Sequence, residues 1–326
     1  MIVWTFLVCR PHKELNQLDY LILSMSKTAD MWWLFTRQTV TIGRDQQILN
    51  AIKLMVRRGF RHIPVTDAEF SLVGMVSAQD VMNTIHSAIS SSKSRASAGI
   101  ALLKTLSKPV LQIMTKDVVA GDASQSLFDS IVIMTGGSLS ALPLVDKNKR
   151  VQGMVTLRDL VSVMAQGGGK LGLQVHEVMT DKIHSLGMSD RILDAIALMV
   201  TKKIRRIAIT PDNGKSYEGI VTNKDVMRLL DSAYSYRVMR PEDALKIKLS
   251  QVMDKGFGTI DAEEDIRAAA WQMMTLGFGG LIVIRADPIG LVTERDLIHR
   301  ACKMKGPNFL KDAVRPQDDA SDKPSW

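Results

Sequence analysis

The sequence predicts an α/β protein built from four copies of one small unit, and two observations support this prediction. First, a seven-residue pattern of Gly, two apolar residues, Ser or Thr, two variable residues and Asp occurs four times along the 326 residues. Successive copies begin 79, 66 and 71 residues apart. Second, each copy follows an apolar helix pattern and a short apolar strand pattern. Self-similarity at a nearly constant period is typical of repeat architectures. The four copies are Gly74–Asp80, Gly153–Asp159, Gly219–Asp225 and Gly290–Asp296.

The residues before each copy predict one helix followed by one strand. In the first unit, apolar residues at helical spacing run from Ile48 to Met55, and Ile63–Val65 reads as a short strand. The equivalent helix patterns begin at Leu127, Ile192 and Ile266, and the equivalent strands are Leu142–Val145, Ile207–Ile209 and Leu281–Ile284. Each unit therefore predicts the order strand, helix, strand, strand, helix. One such sheet has an apolar face that it cannot bury alone, so we expect the units to pair.

A shorter pattern opens three of the units. It reads Ile113–Thr115, Val178–Thr180 and Val252–Asp254, with Leu34–Thr36 as a looser match in the first unit. The regular order of opening pattern, helix, strand and motif makes the repeat specific, because four copies share all of its parts.

These residues resemble the CBS-domain family over about residues 35–303. The resemblance implies that adjacent repeats pair into two Bateman modules with clefts between their sheets, the first and second repeats in one module and the third and fourth in the other. The module boundary is expected near Gln166–Lys170, which contains three consecutive glycines. The predicted repeats span residues 35–85, 110–165, 175–232 and 249–303.

The resemblance also implies candidate ligand residues. In the family the motif Asp typically accepts the two ribose hydroxyls of an adenine nucleotide, and the Ser or Thr contacts phosphate. The residues at these positions are Ser77 and Asp80, Thr156 and Asp159, Thr222 and Asp225, and Thr293 and Asp296. A carboxylate matches two adjacent hydroxyl donors, and a helix N-terminus offers free N–H groups to phosphate. The same pattern also forms a helix capping box, so capping alone remains an alternative.

Basic side chains near the clefts differ between repeats. Arg61 and His62 in the first repeat, and Lys202, Lys203, Arg205 and Arg206 in the third, are candidates for phosphate contacts, or else belong to a solvated charged face. The second and fourth repeats carry Ser138, Ser140, Gly279 and Gly280 in the same region. Their clefts are therefore predicted to be less suited to a polyphosphate.

Three segments lie outside the repeats. Residues 1–34 form an aromatic-rich arm that is expected to dock on its own core or on a partner. Residues 86–109 form a basic, Ser-rich linker that is predicted to be flexible, and residues 304–326 form a tail predicted to be disordered. No Asp or Glu occurs between Val81 and Lys116. The cations of this acid-free segment either belong to a solvated surface or are candidate nucleic-acid contacts. They are Lys93, Arg95, Lys104, Lys108 and Lys116.

The composition and motifs argue against a catalyst. The sequence contains no phosphate-loop, GxSxG or HExxH motif, and the six histidines show no metal-ligand spacing. Two isolated cysteines, Cys9 and Cys302, favour a reducing cytoplasm, and no stretch approaches the roughly 20 apolar residues of a membrane helix. We therefore expect a non-enzymatic, cytoplasmic binding protein without a metal.

Two functions remain open at this point. The formal net charge of +8 and the acid-free segment favour a partner rich in phosphate. Stand-alone four-repeat proteins resemble an archaeal group, and some are similar to ribosome-binding dormancy factors. The first hypothesis is therefore a translation-inhibiting factor that binds ribosomal subunits or rRNA and is gated by a nucleotide. The alternative is a sensor of AMP, ADP or ATP that acts on a protein partner. Two modules in one chain are expected to form an internal disc as a monomer, or else a homodimer.

Overall fold

The computed structural model describes residues 39–92, 94–211, 216–235 and 239–313. The predicted aromatic arm, Lys93 and most of the predicted tail lie outside these ranges. Across the described ranges, no helix combines the length and the apolar character that are needed to cross a bilayer.

The structure confirms the predicted order of elements in all four repeats. Each repeat has a three-stranded sheet in which the first two strands are parallel and the last two are antiparallel. The strands are β1 (Ile42–Gly43), β2 (His62–Thr66), β3 (Leu72–Ser77), β4 (Gly121–Asp122), β5 (Ala141–Val145), β6 (Val151–Thr156), β7 (Ser185–Gly187), β8 (Arg206–Thr210), β9 (Gly219–Thr222), β10 (Thr259–Asp261), β11 (Gly280–Arg285) and β12 (Asp287–Thr293).

Helices cover one face of each sheet. They begin where the apolar residues return every third or fourth position, because that spacing places them on one buried stripe. The helices are α1 (Ile48–Arg58), α2 (Ala78–Ser90), α3 (Arg95–Leu106), α4 (Leu127–Gly136), α5 (Leu157–Gln166), α6 (Val175–Val178), α7 (Ile192–Lys202), α8 (Asn223–Ser235), α9 (Pro241–Ala244), α10 (Ile266–Leu276), α11 (Ala301–Lys305) and α12 (Asn308–Ala313). Short 3-10 helices lie at Val110–Gln112 and Leu249–Gln251, and a π-helical turn at Asp296–Arg300 precedes α11.

The opening segment of one repeat crosses the motif strand of its module partner. Thr115 forms a bridge with Met75 of the first repeat, and Asp254 forms one with Ile220 of the third. The crossing explains the motif glycine. A Cβ on Gly74 would lie 2.8 Å from the Thr115 carbonyl oxygen, which is closer than real Cβ contacts. These backbone contacts join the first repeat to the second and the third to the fourth, as the two-module prediction requires.

The buried apolar side chains follow a different pairing. One continuous cluster joins the first and third repeats and includes Ile52, Met82, Ile196 and Leu230. A second cluster joins the second and fourth repeats. Helix α1 packs on α8, α2 packs on α7, and α5 packs on α10. The two modules therefore bury their helical faces against each other.

The structure differs from the prediction in the linker and in the described part of the tail, residues 304–313. The segment predicted to be a flexible linker is largely helical, because Ser94 caps the N-terminus of α3 and Leu102 and Leu106 are buried. Helix α12 begins within the predicted disordered tail. Leu310 belongs to the cluster of the second and fourth repeats, and this burial accounts for the order of the helix.

Candidate functional site

The four motifs form equivalent corners between a strand and a helix. In every corner the Asp carboxylate accepts hydrogen bonds through one oxygen, Oδ2, from the backbone N–H and the hydroxyl of the Ser or Thr three residues earlier. These bonds are 2.6–2.9 Å long and join Asp80 to Ser77, Asp159 to Thr156, Asp225 to Thr222, and Asp296 to Thr293. The first and second corners form complete capping boxes, and all four corners contain the half in which the Asp side chain accepts from the N-cap residue.

The second carboxylate oxygen distinguishes the corners. Oδ1 of Asp225 lies 3.1 Å from the Arg228 guanidinium, and Oδ1 of Asp296 lies 3.2 Å from that of Arg300. Burial raises the pKa of Asp159 and of Asp296 above the usual range, against the opposing effect of the hydroxyl hydrogen bonds. The capping bonds use one carboxylate oxygen only, and in the third and fourth corners the other oxygen is paired with an arginine.

Two cavities adjoin the corners of the second and third repeats. The repeat-2 cavity has a volume of about 220 Å³ and the repeat-3 cavity about 360 Å³. The first is lined by Thr39, Val40, Gly59, Phe60, Arg61, His62, Ser140, Met154, Thr156, Leu157, Arg158, Asp159, Arg205 and Glu294. The second is lined by Gly59, Phe60, Arg61, Arg158, Arg205, Arg206, Ile220, Thr222, Asn223, Lys224, Asp225, Met227, Arg228, Asp254, Gly256, Phe257, Gly277, Phe278, Gly279 and Gly280. Neither of these two cavities is lined by the Ser or Thr and the Asp of the first and fourth corners, although Glu294 of the fourth motif lines the repeat-2 cavity.

A cluster of arginines lies between the two cavities. Arg61, Arg158 and Arg205 line both cavities, and Arg206 lines the repeat-3 cavity. Burial, followed by the charges of Arg61 and Arg206, lowers the pKa of Arg205 to about 9. Burial also lowers the pKa of Arg206 to about 10. At neutral pH these guanidiniums remain charged, so the cluster concentrates positive charge where the repeats meet.

One acidic side chain lies among these arginines. Glu294 is 1% exposed, and its carboxylate accepts hydrogen bonds from Arg61 and, at 3.0 Å, from Arg158. Burial would raise the pKa of Glu294, but Arg61, Arg206 and Arg158 outweigh that effect and hold the pKa below its usual range. Each of the four repeats thus contributes a charged side chain to this cluster.

The structure brings the predicted arginines together, whereas Lys202 and Lys203 are exposed and line neither cavity. Two further predictions are corrected. Arg61 and Arg205 lie at the cavities as predicted. His62 does not supply a positive charge, because burial and the neighbouring arginines lower its pKa to about 3. The cleft of the second repeat is not poor in positive charge, since Arg61 and Arg205 reach it from other repeats.

Sequence reasoning missed Glu294, Arg158 and Asn223. Each follows the motif Ser or Thr by one or two residues, a position where the first repeat has Ala78 and Gln79. Asn223 is 4% exposed and lines the repeat-3 cavity. Its Nδ2 has no hydrogen-bond partner within the part of the chain that the structure describes. Polar residues at a position that favours burial were the available signal.

The predicted nucleic-acid contacts do not converge on the cavities. Lys104, Lys108 and Lys116 are exposed, and none of them lines either cavity. Arg95 is the first residue of α3, and Lys93 lies outside the described ranges. No group of three or more His, Cys, Asp or Glu side chains in the described ranges is arranged to hold a metal ion.

Comparison with known proteins identifies relatives of the whole four-repeat arrangement. The chain is 27% identical over 287 residues to an uncharacterized 33.4 kDa protein in the ribosomal RNA operon of Thermofilum pendens, a match that covers 84% of this chain and 92% of the relative. The crystal structure of protein MJ1225 from Methanocaldococcus jannaschii, a proposed archaeal homolog of g-AMPK, shares 18% identity with a TM-score of 0.71. This structural match covers 84% of the chain described here and 100% of the MJ1225 chain.

A smaller structure matches one module. CBSX2, which was crystallised in complex with AMP, is 22% identical, covers 40% of this chain and 91% of its own, and has a TM-score of 0.33. The family model described as the CBS domain matches residues 33–87, 110–166, 175–232 and 249–302. The protein therefore belongs to the CBS-domain family.

Proposed function

We propose that the protein is a non-catalytic regulatory binding protein whose repeat-3 cavity binds a phosphorylated adenine nucleotide. The observation that carries this proposal is the meeting of four arginines from three repeats at a cavity that also contains Thr222 and Asp225. Its volume of about 360 Å³ lies within the roughly 300–1,000 Å³ typical of small-molecule sites.

The cavity offers distinct contacts for the parts of a nucleotide. The guanidiniums of Arg61, Arg158, Arg205 and Arg206 supply forked donors that match phosphate oxygens. The Asp225 carboxylate is the candidate acceptor for ribose hydroxyls, with Arg228 moving to the phosphates when the ribose binds. The choice of adenine among nucleobases rests on the resemblance of the four motifs to the family, in which adenine nucleotides are common ligands.

The test is calorimetric titration with AMP, ADP and ATP of the wild type and two matched variants. Asp225→Asn removes the carboxylate of the repeat-3 corner. Asp80→Asn makes the same change in a corner with the same capping bonds that lines neither cavity. We expect D225N to weaken binding about tenfold or more, the cost of a charge-assisted hydrogen bond, and D80N to leave the affinity unchanged.

The stoichiometry tests the second cavity. Occupancy of both cavities gives two ligands per chain, and Asp159→Asn then removes the other binding event. The proposal fails if none of the three nucleotides binds at millimolar concentration, or if D225N and D80N have equal effects.

Binding to ribosomal subunits or rRNA is a second candidate function. It is supported by the exposed lysines Lys104, Lys108 and Lys116, by the net charge of +8, and by the occurrence of the Thermofilum relative in a ribosomal RNA operon. The test is co-sedimentation with ribosomes on sucrose gradients at low and high salt. Phosphate contacts are strongest at low salt, so a protein that stays at the top of a low-salt gradient contradicts this function. Both functions place the protein in the cytoplasm.

A further inference from the structure

The position of Glu294 indicates how anion binding is controlled. We propose that Glu294 is an internal counterion that holds Arg61 and Arg158 when no ligand is bound, and that an anion in the repeat-3 cavity must displace it. This inference rests on the proposed function only in placing a phosphorylated ligand in that cavity. It adds a residue that sets the affinity and connects ligand binding to the contact between the modules.

Glu294 already makes the contacts that a phosphate would make. Its two carboxylate oxygens accept from two different guanidiniums, Oε2 from Arg61 and Oε1 from Arg158. These same guanidiniums line the repeat-3 cavity, although Glu294 itself does not. A ligand phosphate in the cavity and the carboxylate behind it therefore compete for the same N–H donors.

The charge balance leaves room for an additional anion. The repeat-3 cavity is lined by six cationic side chains and two carboxylates, those of Asp225 and Asp254, so three positive charges remain in excess after Glu294 is counted. Burial of cations is costly, and it lowers the pKa of Arg205 and of Arg206 although Glu294, and for Arg206 also Asp296, opposes the shift. A polyphosphate supplies the missing negative charge, whereas a neutral ligand cannot.

Only the fourth repeat has an acidic residue, Glu294, directly after the motif Ser or Thr. The residue after the motif Ser or Thr is Ala78 in the first repeat, Leu157 in the second and Asn223 in the third. Asn223 is equivalent to Glu294, lines the cavity and carries a buried Nδ2 without a partner in the described ranges. The cavity thus contains an unsatisfied donor and an excess of positive charge, and both favour an anionic or strongly accepting ligand.

Displacement of Glu294 would change a contact between the modules. Arg61 and Arg158 belong to the first module, and Glu294 belongs to the second. When a phosphate takes over these guanidiniums, a direct ion pair between the modules is replaced by a contact through the ligand. Ligand affinity and the module contact are consequently linked, and each must affect the other by the same free energy.

The experiment uses inorganic tripolyphosphate as the probe, titrated calorimetrically into the full chain. Glu294→Gln keeps the shape of the side chain and removes its charge, so it frees both arginines for the probe. We expect E294Q to bind tripolyphosphate about tenfold more tightly or better than the wild type, which corresponds to the loss of one competing charge-assisted hydrogen bond. The control is Glu263→Gln, an exposed acid paired with Arg285, which should leave the affinity unchanged.

A second variant and a second measurement cover the case in which E294Q is unstable. Glu294→Asp keeps the charge but is one methylene shorter, so its carboxylate competes less well for the arginines. The affinity of E294D for tripolyphosphate should therefore lie between those of the wild type and E294Q. Thermal unfolding with and without tripolyphosphate should show a larger stabilisation of E294Q than of the wild type. An E294Q chain that folds only when tripolyphosphate is present would also support the inference.

The outcomes separate this inference from the proposed function. Tripolyphosphate has neither base nor ribose, so nucleotide titrations that fail do not decide its binding. Nucleotide binding that is unchanged or weaker in both Glu294 variants overturns the inference and leaves the nucleotide site standing. Tripolyphosphate that binds no form of the chain at millimolar concentration, or that binds E294Q and E294D no more tightly than the wild type, also overturns it.

Discussion

Substitution of Arg158 by methionine should destabilise the fold far more than an equivalent change at the surface. The Arg158 guanidinium donates through one nitrogen to Glu294 and to the Phe278 carbonyl, both at 3.0 Å. The bond to the buried carboxylate is worth about 1.5–3 kcal/mol, and the carbonyl left without its donor adds about 1 kcal/mol. We therefore expect R158M to lower the free energy of unfolding by about 2–4 kcal/mol, since methionine retains the apolar stem but no donor.

The control is Arg228→Met, and the assay is urea denaturation. Arg228 pairs with Asp225 three residues earlier on the same helix and is 56% exposed, so its loss should cost about 1 kcal/mol or less. A double-mutant cycle of R158M with E294Q adds a sharper criterion. Removal of both partners should cost less than the sum of the single changes by about 1 kcal/mol or more. Equal effects of R158M and R228M, or an additive cycle, would refute the assignment of Arg158 and Glu294 as a buried pair.

Three further predictions follow from the fold and the arginine cluster. Both modules should unfold in one urea transition, because each apolar cluster includes both; separate transitions in circular dichroism and amide hydrogen exchange would contradict this. The lowered pKa of His62 means that the unfolded chain binds the extra proton between about pH 3 and 6.5, so stability is lost as the pH falls through that window. Below pH 6.5 the free energy of unfolding of His62→Gln should therefore rise relative to that of the wild type by up to roughly 1.4 kcal/mol per pH unit, as measured by urea denaturation. A difference that does not change with pH would contradict the lowered pKa of His62. Gly279→Ala should weaken tripolyphosphate binding, because its Cβ would displace the Arg206 guanidinium and would also lie 3.1 Å from Oε1 of Glu294. Gly136→Ala, whose Cβ meets nothing within 4 Å, should leave that binding unchanged, and equal effects of the two substitutions would exclude the steric cause.

The sequence predicted the local elements well because burial imposes their periods. The helix starting at Ile48 and the strand around Pro64 follow directly from residues that must face one core. The four corners were predictable for the same reason, since the Ser or Thr and the Asp cap a helix whose start is fixed by the preceding strand. The helix of the linker was harder to predict, because serines that end α2 and cap α3 resemble the serines of a flexible segment.

The composition of the cavities could not be predicted from one repeat at a time. Arg61 and Glu294 are 233 residues apart in the chain and meet only because the two modules pack helix to helix. Too little charge was therefore assigned to the cleft of the second repeat, since Arg61 and Arg205 from other repeats line its cavity. Glu294 stands at a position that is Ala78 or Leu157 in the first two repeats, and an acid where two repeats are apolar was the one sign of its burial.

The sharing of each apolar cluster between the two halves of the chain constrains how its sequence can change. Helix α5 and helix α10 pack together, and the Arg267 guanidinium donates at 2.6 Å to the Met164 carbonyl, 103 residues away. A larger side chain on one of these helices must be answered by a smaller one on the other, so covariation should connect the first repeat with the third and the second with the fourth. Exchange of one half of the chain for a module from another protein would disrupt both apolar clusters at once. The four repeats should therefore evolve together as one domain.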